Sequence, residues 1–326
     1  MSSLKKTSIG GQALIEGIMM RGPEKTVMAV RKKDGSIELV PRETKSIKNK
    51  SKIFSFPVIR GVVGFIESMT QGYKAMMDSA EISGYLEEEL QAEKEKNPEG
   101  EEKPNAEKTD KGALMTVIMI VATVLAVVLS IGLFIYLPSL AFKGINLLAG
   151  GVLSSWQAVF EGILKILIFL GYMVAVSQMK EIKRVYRYHG AEHKTIFCYE
   201  AGLPLTVENV REQKRFHPRC GTSFMILMLI VSIAVTLLLD AVLPWLRGVL
   251  WLRTIIKLLL VPLICGLGYE LIKICGRYDN LATKIIAYPG LLVQRLTVYE
   301  PDDSMIEIAI AAMQEVIPEN EEADKW

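Results

Sequence analysis

Long uncharged segments alternate with strongly polar ones along the chain, and this pattern predicts its architecture. Residues 112–142 carry no charge, and further apolar segments follow at 156–179, 222–246 and 251–275. Each is long enough to cross the hydrocarbon core of a bilayer, which takes about 20 residues as a helix. The pattern therefore predicts a mainly α, polytopic membrane protein with about four transmembrane helices.

The N-terminal segment, residues 1–83, is predicted to form a small cytoplasmic region. Residues 9–23 hold several glycines among apolar side chains, which favours a buried glycine-rich loop over a helix. Two apolar segments between Thr26 and Glu43 flank Asp34–Gly35, and this pattern predicts a β-hairpin. Apolar residues at helical spacing over 55–83 are interrupted by charges, which predicts an interfacial or re-entrant helix.

Two other polar segments are also predicted to be cytoplasmic. Residues 84–111 are dense in glutamate and lysine and cannot bury a core, so we expect an acidic disordered linker without chemistry of its own. In the C-terminal segment, 276–326, Asp302 or Asp303 can cap a helix that continues through Ile317. We expect that helix to pack on the other cytoplasmic segments.

Lysine and arginine counts orient the helices. The segment 180–221 holds nine of these residues, whereas the connection between the first two helices offers mainly Lys143. Because positive residues concentrate in cytoplasmic loops, this segment is predicted to be cytoplasmic. The helices then fall into two pairs, 112–179 and 222–275, and both termini are cytoplasmic in a multi-pass protein.

Composition refines this picture in a few respects. The formal net charge of +2 gives no indication of a nucleic-acid partner, and membrane lipids are the expected surroundings. The four cysteines have no paired spacing, so reduced thiols are expected, and the N-terminus lacks the apolar core of a signal peptide. Inside the second helix, Glu161 and Lys165 lie four residues apart, a spacing at which they can neutralise each other.

Two of the chain's three histidines lie within the segment Tyr188–Lys194. On a helix, His189 and His193 project from one face a turn apart and can share one metal ion. With Glu192 they form H-x-x-E-H, the inverted form of a zinc-protease signature in which the carboxylate is the general base for a metal-activated water. We expect the second transmembrane helix to continue through this segment to Tyr199. A divalent metal, with zinc as the first candidate, is therefore predicted here.

Other residues are predicted to complete this site. The third metal ligand is expected to be His217, before the third transmembrane helix, or Glu270, near the cytoplasmic end of the fourth. The substrate-binding candidates are Glu16 and Arg21 in the glycine-rich loop, which can act as a lid, together with Arg219 and Cys220; Cys220 can also ligate through its thiolate. Each residue has a structural alternative: His217 and Cys220 can satisfy backbone groups, and Glu270 can pair with Lys273 or Arg277.

Four long segments of the chain resemble a widespread bacterial family of polytopic membrane proteins that is catalogued as a domain of unknown function and described as a predicted metal-dependent enzyme. The segments are GGQALIEGIMMRGP, YHGAEHKTIFCYEAGLPLTVENV, RFHPRCGTSF and LLVQRLTVYEPDDSMIEIAIAAM. The resemblance covers nearly the whole chain except the acidic linker. It implies a bacterial cytoplasmic-membrane location and a metal-dependent activity, and it names no substrate.

Three functions of different classes follow from these observations. The first is a metal-dependent hydrolase with its site at the cytoplasmic membrane face. The second is a non-enzymatic scaffold or assembly factor whose metal or histidine cluster is structural, which a closed four-ligand site would favour. Transport is the third alternative; four spans with few charges near the membrane centre form little of a polar path, so a transporter would need to be a homo-oligomer.

Overall fold

The computed structural model describes residues 6–42, 51–87, 91, 121–278 and 280–324, and it divides into two compact units. As far as these residues are described, the first unit comprises residues 1–88, 172–231 and 262–326, and the second comprises 89–171 and 232–261. The predicted acidic linker, 84–111, lies almost wholly outside the described residues.

A four-stranded antiparallel sheet forms the centre of the first unit. Its strands follow chain order: β1 (Gly10–Leu14), β2 (Gly17–Arg21), β3 (Thr26–Arg31) and β4 (Ile37–Arg42). The predicted hairpin is confirmed as β3 and β4. The prediction of a loop over residues 9–23 was wrong, because β1 and β2 form a second hairpin there.

Both faces of this sheet are buried, which explains the continuous apolar segment of β2. Side chains alternate between the faces of a strand, so Ile18 and Met20 point to one face and Met19 to the other. The face with Ile18 packs against the helices α4 (Lys180–Glu200) and α10 (Asp303–Val316), and the face with Met19 packs against α1 (Ile59–Ile82). The sheet thus packs helices on both faces, with a separate hydrophobic core on each.

The remaining helices of the first unit position the histidine segment. The short helix α5 (Val207–Arg211) follows α4, and α9 (Leu281–Thr297) begins at a capping box formed by Asn280 and Thr283. The predicted C-terminal helix is confirmed as α10, whose N-cap Asp302 accepts a hydrogen bond from the Met305 backbone.

Three helices are long and apolar enough to cross a membrane, as the described residues show: α2 (Val121–Leu148), α3, whose regular part is Gln157–Val176, and α6 (Gly221–Val242). A fourth candidate consists of α7 (Leu250–Leu259) and α8 (Val261–Arg277), which are bent by 45° where they meet. The structure therefore has three or four candidate spans. A π-helical turn, Gly132–Tyr136, lies within α2. Short 3-10 turns occupy Lys52–Ser55, Ser154–Trp156, Pro244–Gly248 and Glu321–Asp324.

Two other predictions about helices need correction. The second transmembrane helix does not continue to Tyr199, because Met179 has extended backbone angles (φ −66°, ψ 135°) and α4 begins anew at Lys180. Glu161 and Lys165 do not form an ion pair, because other side chains occupy both oxygens of Glu161. The four-residue spacing permitted the pair, but residues distant in sequence compete for the carboxylate more effectively.

Candidate metal centre

The helix α4 holds His189 and His193 one turn apart, as the sequence predicted. Their ring centroids lie 4.4 Å apart, with His193 buried and His189 half-buried. Tyr188 and Ala191, on another face of the same helix, are fully buried in the core against the sheet. Packing of that face fixes the rotation of α4 and therefore the direction in which the two imidazoles project.

Both imidazoles are oriented by backbone carbonyls. The Nδ1 atom of His189 lies 3.0 Å from the carbonyl oxygen of Thr297, and Nδ1 of His193 lies 2.5 Å from that of Arg215. A carbonyl only accepts, so each Nδ1 carries a hydrogen, which in the neutral imidazole leaves the lone pair on Nε2. This is how metal-binding histidines are commonly held, with the outer nitrogen donating to a carbonyl or carboxylate.

Gly190 allows one of these contacts to form. A Cβ atom at this position would lie 1.9 Å from the carbonyl oxygen of Tyr299, so only glycine lets that backbone cross α4 so closely. The crossing is held by the Tyr299 backbone N–H, which donates to the Tyr186 carbonyl at 2.9 Å. The glycine inside the histidine motif therefore brings the Thr297 carbonyl within reach of His189.

Cys220 provides a third donor atom beside the histidines. Its Sγ lies 3.2 Å from Nε2 of His189, and the candidate ligand atoms of His189, His193 and Cys220 all lie within 4.8 Å of one another. Cys220 immediately precedes α6, where the Thr222 backbone N–H donates to Sγ at 3.4 Å. The structure thus groups Cys220, a substrate-binding candidate that could also ligate through its thiolate, with the two histidines.

His217 lies next to this cluster but uses both ring nitrogens elsewhere. Its Nδ1 accepts from the Arg219 backbone N–H at 3.3 Å, and its Nε2 lies 3.6 Å from Oε2 of Glu200. Burial lowers the pKa of His217 to about 4, so its ring is neutral at pH 7. Among the described residues, the group suited to a metal ion contains Cys220 in place of His217.

The backbone of His217 is held by a buried amide that the sequence analysis did not single out. Gln294 on α9 accepts from the His217 N–H at 2.8 Å and donates to the His217 carbonyl at 2.7 Å. The same amide donates to the hydroxyl of Ser223 in the first turn of α6 at 3.0 Å. One side chain therefore fixes the loop that leads into Cys220. The signal that the sequence offered for this role was a glutamine directly after three apolar residues.

Glu192 lies fully inside the protein beside the histidines. Burial raises its pKa, and this shift is opposed by the nearby His189 and by a hydrogen bond from the backbone N–H of Gly11. A Cβ atom at Gly11 would lie 2.8 Å from Cγ of Glu192, so the strand β1 approaches the carboxylate closely because this residue is glycine. The glycine-rich segment thus contacts the site through its backbone.

A cavity of about 110 Å³ connects these groups. His189, Glu192, His193 and Cys220 line it from α4 and the start of α6, and Gly10–Gly11 line it from β1. His217 and Arg219 complete its polar wall. The predicted base and the three candidate ligands therefore border one enclosed space large enough for several water molecules.

Three residues predicted to belong to the site lie elsewhere. Both carboxylate oxygens of Glu270, on α8, accept from Arg60, at 2.7 and 2.5 Å. This predicted metal ligand is therefore engaged in an ion pair. Glu16 is bound by Arg184 and accepts from the Tyr188 hydroxyl at 3.1 Å, and Arg21 donates to Gln71 at 3.3 Å. None of the three lines the cavity.

Arg219 does border the cavity, and its position is determined by a buried carboxylate. Its guanidinium donates to Glu200 at the end of α4, and the same Glu200 oxygen accepts from the Thr7 backbone N–H at 3.0 Å. Both side chains of this ion pair are almost fully buried. Glu200 therefore ties the chain N-terminal to β1 to the loop that carries Cys220, a role that its sequence context did not reveal.

These features define a protein with several membrane-type helices and a cluster of two histidines and a cysteine beside a buried glutamate. The chain belongs to a protein family of unknown function, DUF1385, whose model matches residues 56–319. It is similar to the uncharacterized protein YqhQ of Bacillus subtilis (strain 168), with 34% identity over 309 residues that cover 94% of this chain and 92% of the relative. No solved structure matches the chain.

Proposed function

We propose that the protein is a membrane-embedded, metal-dependent hydrolase whose metal ligands are His189, His193 and Cys220. The supporting observation is that three donor atoms converge beside a cavity that also contains a buried carboxylate. Catalytic zinc sites use three protein ligands and keep one position open, whereas structural sites are closed by four. Nitrogen and sulfur donors suit zinc, which is our first candidate.

Glu192 is the general base and acid in this proposal. A divalent ion held by the three ligands would supply Lewis-acid chemistry, polarising the substrate and making water a stronger nucleophile. Glu192 takes a proton from the attacking water and transfers it to the leaving group as the scissile bond breaks. The Gly11 N–H donates to the carboxylate, and Glu192 lines the cavity beside the three candidate ligands.

The metal site is tested by elemental analysis of the purified full-length protein. We expect close to one zinc per chain in the wild type and a loss of at least about tenfold in zinc affinity for His189→Ala, His193→Ala and Cys220→Ala. Cys198→Ala is the matched control, because Cys198 is buried on the same helix but belongs to the core against the sheet. A wild type without stoichiometric metal, or variants that bind it unchanged, would end the proposal.

The hydrolytic role is tested separately with Glu192→Gln, which keeps the shape of the side chain and removes the base. With 4-nitrophenyl acetate as a general ester probe, we expect this variant to retain zinc and to lose hydrolysis by about 10²–10⁴-fold, as removal of a general base does. Equal rates for the wild type and Glu192→Gln would contradict a role for Glu192.

The alternative is a scaffold or assembly factor with a structural metal. That function would be favoured if wild type and Glu192→Gln both bound metal and neither hydrolysed any ester above background. It is less well supported because the ring nitrogens of His217, the nearest candidate for a fourth ligand, are engaged by Arg219 and Glu200.

The proposed site faces the cytoplasm. The support is the excess of lysine and arginine in segment 180–221 over the connection between the first two helices. Fusion of a reporter that is active only in the cytoplasm to the C-terminus tests this topology. An inactive reporter on a stably inserted protein would reverse the orientation.

A further inference from the structure

The second unit contains a cluster of buried charged side chains that the proposed hydrolase does not use. Five members are less than a tenth exposed: three cations and two carboxylates, namely Lys165, Arg253, Lys257, Glu161 and Asp240. Burying a charge is costly unless another charge or a hydrogen bond compensates it. The pairing of opposite charges within this cluster therefore shows whether any buried charge is left over.

Glu161 is saturated by its neighbours. One of its oxygens accepts from the Ser139 hydroxyl at 2.8 Å, from the Gln157 amide at 2.9 Å and from Arg253. The other oxygen accepts from Lys257 at 2.6 Å. Four donors on one carboxylate leave no place for Lys165.

Asp240 is also fully engaged. Arg253 donates to its two oxygens at 3.1 and 2.8 Å, a bidentate arrangement. The partly exposed Arg247 lies 3.6 Å from the same carboxylate and adds a further positive charge. Arg253 therefore bridges the two carboxylates, and Lys257 completes a network that already contains equal numbers of buried cations and carboxylates.

Lys165 remains as the surplus cation. It is 8% exposed, and no carboxylate lies within ion-pair distance of it among the residues that the structure describes. It interacts electrostatically with Lys257 and Arg253, which repel its charge, and with Glu161, whose attraction is shared with two closer cations. One turn further along α3, on the face that carries Lys165, Ile168 and Phe169 are half-buried.

We infer that Lys165, beside the already paired Lys257 and Arg253, forms a binding site for a phosphate-bearing anion, which in a membrane is the headgroup of an anionic phospholipid. A surplus of one buried positive charge matches the single charge of a phosphodiester. Ile168 and Phe169, on the same face of α3, can contact acyl chains, and basic pockets between membrane helices take such headgroups. Free inorganic phosphate offers the same chemistry.

The test is thermal unfolding of the full-length protein in a neutral detergent, with three additions at matched ionic strength. Dioleoyl phosphatidylglycerol presents the anion on a lipid, dioleoylglycerol has the same chains without phosphate, and inorganic phosphate presents the anion alone. We expect phosphatidylglycerol at saturating concentration to raise the unfolding temperature of the wild type by about 5 °C, and dioleoylglycerol to leave it unchanged. A shift with inorganic phosphate of the same size would assign the site to a free anion.

Three variants locate the effect. Lys165→Met should abolish the shift and should raise the unfolding temperature without lipid, because it removes an uncompensated buried charge. Lys165→Arg should preserve the shift, as should Lys143→Met, which removes an exposed lysine of the same unit. An equal shift in Lys165→Met, or no shift of the wild type with either phosphate source, would overturn the proposal. If Lys165→Met fails to fold, the shifts of the wild type with the three additions still decide whether the protein binds a phosphate-bearing anion.

Discussion

The two polar clusters of this protein use buried side chains in opposite ways. In the second unit, the carboxylates of Glu161 and Asp240 are occupied by donors from distant parts of the chain. In the first unit, Nδ1 of His189 and of His193 are bound to carbonyls, and one candidate ligand atom from each ring lies with the sulfur of Cys220 within 4.8 Å of one another. One cluster satisfies its acceptors internally, and the other groups donor atoms that a ligand could share.

This difference distinguishes polar groups that stabilise the fold from polar groups that are arranged to bind a ligand. Acceptors that are saturated by protein donors stabilise a fold and have nothing left for a ligand. The surplus cation Lys165 is the group of this cluster that we propose to bind one. Donor atoms oriented by a second set of contacts and grouped beside a cavity are arranged for a ligand. Burial alone therefore does not identify a site, since His193 and Arg253 are both almost fully buried.

The largest effect should come from Arg253→Met. Removing this guanidinium leaves two buried carboxylates without their main partner, and breaking a buried pair in this way costs about 3–5 kcal/mol. Chemical denaturation in detergent measures the free energy of unfolding. As a control, Arg211→Met removes an ion pair with Asp303 in which both side chains are about half exposed, and should cost less than about 1 kcal/mol. Equal costs for the two variants would mean that the cluster is not stabilising.

A smaller effect is expected from Gln294→Leu in the first unit. Leucine fills similar space but leaves the buried N–H of His217 without its partner, and its carbonyl with only the Cys220 backbone N–H at 3.3 Å, at a cost of about 1–3 kcal/mol. The same denaturation measurement applies, and zinc content should fall because the loop before Cys220 loses its support. A variant with wild-type stability and zinc content would show that Gln294 does not position the site.

The contact between His189 and the Thr297 carbonyl can be weakened without substituting a metal ligand. In Gly190→Ala, the new methyl group would clash with the Tyr299 carbonyl and move the segment that carries the Thr297 carbonyl. Loss of such an orienting contact typically lowers metal affinity by about 10–100-fold, measured by competition with a chromogenic chelator. Gly171→Ala is the control, since a Cβ atom there meets nothing within 4 Å. Identical metal affinities for Gly190→Ala and the wild type would show that the Thr297 carbonyl does not help to orient His189.

The smallest effect is expected from Glu16→Gln, which tests the original expectation of a substrate-binding lid. Its ion pair with Arg184 is partly exposed, so the variant should lose less than about 1 kcal/mol of stability and keep its zinc content. Hydrolysis of 4-nitrophenyl acetate should be unchanged. A marked loss of hydrolysis with stability intact would restore Glu16 to the site.

Much of the fold could be predicted because it depends on local patterns. The apolar segments, the Asp34–Gly35 turn and the cap at Asp302 each act over a few neighbouring residues, and the structure contains the corresponding helices and hairpin. The β1–β2 hairpin was missed because glycines weaken the strand pattern. Those glycines serve long-range contacts instead, as Gly11 does at Glu192.

The candidate site was predicted in part for the same reason. His189, Glu192 and His193 are neighbours on one helix, so their spacing alone brought them together. Which of His217, Glu270 and Cys220 joins the two histidines depends on which chain segments meet in the fold. Glu200 engages His217, and Arg60 engages Glu270. No local pattern could show those competing partners.

By itself, the sequence determined the membrane-type helices, the helix bearing two histidines a turn apart, and the capped C-terminal helix, because each follows from side-chain periodicity and short-range hydrogen bonding. Only the tertiary structure decided that Cys220 joins the histidines, that Glu16, Arg21 and Glu270 lie elsewhere, and that Lys165 has no carboxylate partner among the described residues. The physical reason is competition: a charged or ligating group binds the best-placed partner in space, and distance along the chain does not determine that choice.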